Sequence, residues 1–217
     1  MTDSTAPQSA QDFWEAFYQE REQIWTGNPN PLLVREAADL TPGTALDLGS
    51  GEGGDAIWLA QRGWTVTAVD ISATALGRAA GHAEAAGVGE RITWTKHDLT
   101  QSFPEGNFDL VSAQFLHSPV EADGERNQIL QRAAAEAVAP GGVLLIGSHA
   151  GWASNQHHNH HPDVHFPTMD EMLEAIAAAP GEWQVETKDE VAREWTAPDG
   201  STGVRTDTVL RIRRLSR

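Results

Sequence analysis

The sequence predicts an α/β domain built on a single doubly wound, mostly parallel sheet of seven strands, and three observations carry that expectation. A short apolar run over 44–48 ends in Gly49-Ser50-Gly51-Glu52-Gly53-Gly54, four glycines in six residues, before a helical pattern resumes at Asp55. Strand-like and helix-like segments then alternate as far as His149, the pattern of parallel strands joined by crossover helices. Two more strand-like runs, 182–193 and 206–213, close the chain around the turn-rich segment 197–203.

Taken in order, residues 1–11 are small, polar and proline-containing, and are expected to be a disordered leader to a single domain spanning 12–217. From Asp12 the pattern is helical, with Phe13, Trp14, Phe17, Tyr18 and Ile24 on one broad apolar stripe. Two prolines and a glycine break it over 25–31, and a second helix, 32–40, runs into the turn Thr41-Pro42-Gly43. Because 12–43 precedes the first strand, it reads as a helical lid stored near the open end of the sheet, with Trp25 and Asn30 as its contributors to the site. After the glycine turn come a helix over 54–62, a strand over 64–69, and a long helix capped by Ser72 and stopped at Gly87. Strands 91–96, 108–114 and 143–147 end at His97-Asp98-Leu99, Phe115-Leu116-His117 and Ser148-His149. Asp123 is expected to cap the helix through 138, and Pro140-Gly141-Gly142 to turn the chain into the fifth strand. The loop 151–167 is histidine-rich and too long for an ordinary connection, so it is expected over the active site. Thr168 then caps a helix to 179 that Pro180-Gly181 breaks.

Composition narrows the function. At 217 residues and 23.5 kDa the chain suits one well-buried domain. A formal charge of -16 argues against nucleic acid, whose binding needs clustered cations to displace counterions, and favours a small-molecule partner. No apolar run approaches the roughly 20 residues that cross a bilayer, so no membrane partner is expected and the cytoplasm is the default location. The absence of cysteine excludes disulfides and thiolate metal sites. Oligomeric state is not legible.

The glycines decide less than their surroundings. Gly49, Gly51 and Gly54 also satisfy the Gly-x-Gly-x-x-Gly spacing of a dinucleotide-binding turn, which would make the protein a nicotinamide-dependent oxidoreductase. Asp47, two residues ahead of the first glycine, would repel a pyrophosphate and suit a cationic ligand. Leu46-Asp47-Leu48-Gly49-Ser50-Gly51-Glu52-Gly53 and the following Ala68-Val69-Asp70-Ile71-Ser72 resemble motifs I and II of class I S-adenosylmethionine-dependent methyltransferases. That resemblance covers nearly the whole chain from Asp12 and implies the Rossmann-like methyltransferase fold, in which the last strand runs antiparallel to its neighbours. It implies S-adenosyl-L-methionine as the cofactor. It also implies that Asp47, Gly49, Ser50 and Gly51 surround the methionine part, Asp70 with Ile71 takes the ribose, Asp98 and Leu99 take the adenine, and Gln114 lies by the methionine end. More narrowly, 13–30 and 56–64 look like the tellurite-resistance and thiol-methyltransferase branch of small bacterial enzymes, which implies a small, soft nucleophile such as a thiol or metalloid as methyl acceptor.

The histidines fall outside that pattern. His117 and His149 each follow a strand that ends at the expected crevice, and His165 comes from the loop expected to cover it. One of them is expected to serve as general base or to orient the acceptor, which makes these three the candidate catalytic residues. With Asp163 they could instead bind a metal, and a non-catalytic histidine-rich metal-binding protein on the same fold is the alternative reading. His157, His158, His160 and His161 read as a solvated tract. Arg193 and Arg205 could pair with a substrate carboxylate, but as single surface arginines they stay outside the candidate site.

Overall fold

In the computed structural model, which describes residues 9–120, 124–155, 165–178, 181–197 and 199–216, seven strands form one sheet in the order β3-β2-β1-β4-β5-β7-β6. The strands are β1 (Thr44–Leu48), β2 (Thr65–Asp70), β3 (Ile92–Lys96), β4 (Phe108–Gln114), β5 (Val138–His149), β6 (Trp183–Thr196) and β7 (Thr202–Arg214). The first five are parallel to one another, and β7 runs antiparallel between β5 and β6, as the family resemblance implied. The chain reverses its winding at β1, whose neighbours are β2 and β4. Ligands of open α/β sheets bind at the carboxyl ends of strands beside such a reversal.

Two cores explain the double winding. Leu46, Leu48, Val111, Leu144, Ile146, Leu130 and Met172 pack on one face, and Ala45, Leu59, Val66, Leu110, Leu145, Leu33 and Trp64 on the other. Alternation along each central strand therefore loads both faces with apolar groups, as a sheet covered on both sides requires. Helices α1 (Ala10–Gln19), α2 (Pro31–Ala37), α3 (Gly54–Gln61), α4 (Ala73–Ala85), α5 (Glu125–Arg132) and α6 (Met169–Ala175) cover it.

Local chemistry sets the boundaries. The first helix starts at Ala10, two residues before the expected Asp12, because Ser9 caps it by accepting from the Asp12 amide. Ser72 caps α4 by accepting from the Ala75 amide, and a capping box between Thr168 and Glu171 starts α6. Asp123, the expected cap of the fifth helix, lies outside the described residues, and Gly124 stands at that N-cap. The helix expected to reach 138 gives way to a π-helical turn, Ala133–Ala137, and the β-branched Val138 already pairs with Phe108. The ladder resumes at Leu110 and Val143, so the Pro140-Gly141-Gly142 turn is a bulge within a longer β5. The last two strands are longer than their hydrophobic pattern indicated, because the hairpin carries its ladder from Trp183–Arg214 to Thr196–Thr202, beyond the edge that β5 supports. No described helix is long and apolar enough to cross a membrane.

Candidate active site

The turn after β1 shows why glycine is needed there. Gly49, Gly51 and Gly53 all have positive φ, and a Cβ on Gly51 would meet the Tyr18 hydroxyl at 2.9 Å. Asp70, at the end of β2, braces the turn: one carboxylate oxygen accepts from the Gly51 amide (2.8 Å) and the other from the Ser72 amide (2.9 Å). Asp98, past β3, accepts from the Thr100 amide and hydroxyl. These groups line a cavity of about 650 Å³, which also reaches Asp47, Ser50, Ile71, Leu99 and Gln114, the lid residues Trp14, Tyr18, Trp25 and Asn30, and, at its other end, His117 and His149. Strand tips distant in sequence thus converge on one crevice.

The segment before β1 is fastened by carboxylates. Glu52, in the glycine turn, accepts from the Ile24 and Trp25 amides and pairs with Arg78 at 2.9 Å. Asp55 accepts from the amide and the side chain of Asn30, and Glu15 of α1 accepts from the Ser72 hydroxyl at 2.8 Å. Trp25 donates to Tyr18, whose hydroxyl sits over Gly51, and Trp14 donates to Ser118. Asn30 is therefore tied to the first turn of α3 through Asp55. Charged hydrogen bonds contribute about 1.5–3 kcal/mol each. Glu52→Ala is accordingly expected to speed amide exchange at Ile24 and Trp25 and to weaken binding in the cavity about tenfold; hydrogen exchange and calorimetry check this, and unchanged exchange would remove Glu52 from the latch.

Three buried acids crowd the cavity at the glycine turn. Burial pushes the Asp47 carboxyl well above the ordinary carboxylate range, and the charges of Asp55 and Asp70 push it further. Burial also raises Asp55 and Asp70, against the hydrogen bonds each accepts. Asp47 Oδ2, Ser50 Oγ and Gln114 Oε1 are buried polar atoms without a hydrogen-bond partner among the described residues. Such atoms persist where a ligand satisfies them. Two of them are obligate or ready acceptors beside a carboxylate, which suits an ammonium group and not a phosphate.

At the other end β5, β6 and β7 supply the chemistry. His149 Nδ1 donates to Asp207 Oδ1 at 2.7 Å, and Arg193 Nε donates to the other Asp207 oxygen at 2.5 Å. Burial raises the Asp207 carboxyl, but the hydrogen bonds from His149 and Arg193 outweigh it and hold the group below the ordinary carboxylate range. Asp207 is thus an ionised acceptor, so a hydrogen resides on Nδ1, and Nε2 is the nitrogen that a neutral ring offers as proton acceptor. Arg205 Nη1 lies 3.5 Å from that Nε2, at the outer limit of a hydrogen bond. Phe115, at the tip of β4, has a φ of 52° and sets its ring 4.5 Å from the His149 ring; this strained backbone at a strand end is a mark of a site. Burial lowers the His117 imidazole, and the nearby Arg126 guanidinium acts in the same direction.

His165 does not join this group. Its side chain is 71% exposed and pairs with Glu171 at 3.2 Å, because the capping box of α6 places a carboxylate beside it. Asp163 and the tract His157, His158, His160 and His161 lie outside the described residues. No group of three metal-ligating side chains occurs among the described residues, so the four-ligand set of the metal alternative is not assembled by His117, His149 and His165. The sequence does not single out Asp207, Trp195 and Phe115, and it leaves Arg193 and Arg205, considered for a substrate carboxylate, outside the candidate site. Only the strand register reveals them, since His149, Asp207 and Val191 are neighbours across three strands.

Residues 45–142 match the model of a methyltransferase-domain family. The matched segment holds the glycine turn, Asp70, Asp98 and Gln114, so over those residues the chain is similar to that family. It is 31% identical over 151 residues to 2-heptyl-1-hydroxyquinolin-4(1H)-one methyltransferase of Mycobacteroides abscessus, a match covering 64% of each chain. The chain therefore spans slightly less than two thirds of the length of that curated relative. It is 27% identical, with a TM-score of 0.73 over 94% of this chain and 93% of the other, to a protein whose structure is described under the conversion of a disulfide bond into a thioacetal group during echinomycin biosynthesis. The N-methyltransferase NodS of Bradyrhizobium japonicum, solved with S-adenosyl-L-homocysteine, shares the fold at 17% identity, with a TM-score of 0.66 over 95% of this chain and 99% of NodS.

Proposed function

We propose that this protein transfers a methyl group from S-adenosyl-L-methionine to a small-molecule acceptor whose nucleophile carries a proton, with His149 as the base. The observation that carries the reading is one cavity with two chemically distinct ends: buried acceptor atoms around Gly49–Gly51 at one, and the Asp207-braced His149 at the other. When bound, the cofactor supplies an electrophilic methyl group on a sulfonium. Asp47, Ser50 and Gln114 would hold its ammonium, Asp70 its ribose, and Asp98 with Leu99 its adenine. The lid, fastened by Glu15, Glu52 and Asp55, excludes water, so neighbouring dipoles act in a less screened medium. His149 Nε2 takes the acceptor's proton and leaves an electron pair on the acceptor; a bound cofactor would supply the methyl group, the S–CH3 electron pair returning to sulfur and cancelling its positive charge. Asp207 holds the ring in the tautomer that can do this and stabilises the imidazolium that results. The ring of His117, 5.9 Å from that of His149, borders the acceptor's space.

A base is of use to a thiol or a hydroxyl and of none to a metalloid oxyanion that is already ionised. The soft nucleophile favoured by the tellurite-resistance and thiol-branch resemblance is therefore proposed to be a thiol. The neighbour associated with a disulfide-to-thioacetal conversion favours sulfur. The relative named for a hydroxyquinolone favours an acidic hydroxyl as the second reading. Incubation with S-adenosyl-L-methionine and a panel of thiols and phenols, read by mass spectrometry, tests both. A gain of one methyl on sulfur or oxygen supports the proposal, and methylation confined to amines or metalloid anions would overturn the base.

The raised Asp47 carboxyl gives cofactor binding a pH dependence of known sign. An ammonium favours the ionised form, so binding at this site releases a proton, and affinity rises with pH until Asp47 is ionised beforehand. Calorimetry with S-adenosyl-L-homocysteine is expected to show weaker binding near pH 5 than near pH 8, and Asp47→Asn is expected to flatten the dependence. A slope that persists in that variant would assign the proton elsewhere.

A further inference from the structure

Among the described residues, two other than glycine have a positive φ: Phe115 at 52° and Ala177 at 50°. Ala177 lies just past the end of α6, where a left-handed residue commonly closes a helix. Phe115 has no helix to close. It follows Gln114, the last residue of β4, and its amide still donates to the Gly147 carbonyl of β5 at 2.8 Å. The ladder therefore holds the strand tip while the next peptide turns away. A bulky side chain takes that conformation only where its surroundings impose it. The turn aims two parts of one residue at two histidines. The Phe115 ring stands 4.5 Å from the His149 ring, tilted by 38°. Its backbone carbonyl accepts a hydrogen bond from the His117 imidazole, which opposes the burial that lowers that ring. The bond from His149 Nδ1 to Asp207 settles which nitrogen carries a hydrogen, but one bond at one edge tolerates tilting of the ring plane, and tilting moves Nε2. The face of Phe115 closes that freedom.

Resting on the methyltransferase reading above, we propose that Phe115 is a positioning residue for the transfer: its ring sets the plane of His149, and its left-handed carbonyl holds His117 at the border of the same space. One strained residue thus places both imidazoles, and the task needs an aromatic ring and a positive φ at once. All three side chains line the same cavity. A base works only when its lone pair meets the proton to be removed, and a misplacement of about 1 Å can cost about 100-fold in rate.

Three variants separate the ring from the backbone. Phe115→Tyr keeps both, Phe115→Gly removes the ring and takes a positive φ without strain, and Phe115→Val keeps apolar bulk while its branched Cβ expels the backbone from the left-handed region. The readout is the imidazole N–H signals of His149 and His117 in proton–nitrogen spectra of histidine-labelled protein, assigned through His149→Ala and His117→Ala. Both signals are expected to persist in the wild type and in Phe115→Tyr. Phe115→Gly is expected to lose the His149 signal to solvent exchange and to keep that of His117, and Phe115→Val to lose both. Both signals unchanged in Phe115→Gly would overturn the proposal, and so would loss of S-adenosyl-L-homocysteine binding there, since the ring would then serve the cofactor. With an acceptor that turns over, kcat in Phe115→Gly is expected to fall by about tenfold to 100-fold at nearly constant KM, and to fall no further when His149→Ala is already present. An equal loss on both backgrounds would also overturn it, because Phe115 would not be acting through His149. Signals that change as expected in a protein that methylates no acceptor would support the placement of the two rings and defeat the methyltransferase reading instead.

Discussion

His149→Ala is expected to lower kcat by about 10²- to 10⁴-fold, the range that general base catalysis contributes, while the dissociation constant for S-adenosyl-L-homocysteine stays within about twofold. The split follows from geometry. The ring belongs to the tip of β5 and bonds to Asp207 of β7, whereas the cofactor end is built from the tips of β1 and β2 with the Asp98 turn. Asp207→Asn separates positioning from chemistry, since an amide can donate to Nδ1 and reverse the tautomer. That variant is expected to lose turnover while keeping the imidazole, and the acid limb of its pH–rate profile moves because the imidazolium has lost its counter-charge. His117→Ala is expected to lower turnover through packing and to leave cofactor affinity alone. Equal loss of cofactor affinity in the His149 and His117 variants would show that neither ring belongs to the acceptor end.

Asp70→Ala is expected to have the largest effect on the cofactor, weakening S-adenosyl-L-homocysteine binding by about 100-fold or more. Two consequences add. The carboxylate expected to take the ribose is lost, and the Gly51 and Ser72 amides lose their acceptor, at about 1.5–3 kcal/mol for each charged hydrogen bond. Stability suffers less than binding, because burial already opposes ionisation of Asp70 in the folded chain. Calorimetry and a thermal melt on the same sample distinguish the two, and a melt shifted as far as a global core mutation shifts it, with affinity unchanged, would make Asp70 a structural brace alone.

The parts that were legible in the sequence are those whose physics is local. An apolar strand, a run of glycines and a capped helix are neighbours in sequence as well as in space, so the turn at Gly49–Gly51, Asp70 beside it and the Ser72 cap could be read directly. The antiparallel last strand came from resemblance, and the topology agrees with it. What stayed hidden depends on register. Asp207 meets His149 across 58 residues, and Arg193 faces Arg205 only once the hairpin is in phase, so the sequence alone shows two single arginines and not a pair. His165 was misplaced for the complementary reason: its position follows from a long loop and from the carboxylate of Glu171, neither of which has a sequence period. The aromatic and proline-rich character of the segment before β1 was legible, but not its fastening, because Glu15, Glu52 and Asp55 look like ordinary surface acids until their partners are known.

The most direct test of the central claim is calorimetric titration of the purified protein with S-adenosyl-L-homocysteine, in wild type and Asp70→Ala side by side. The account expects saturable binding at one site per chain in the wild type and little measurable heat in the variant. A wild type that gives no binding heat, or two proteins that bind alike, would contradict it.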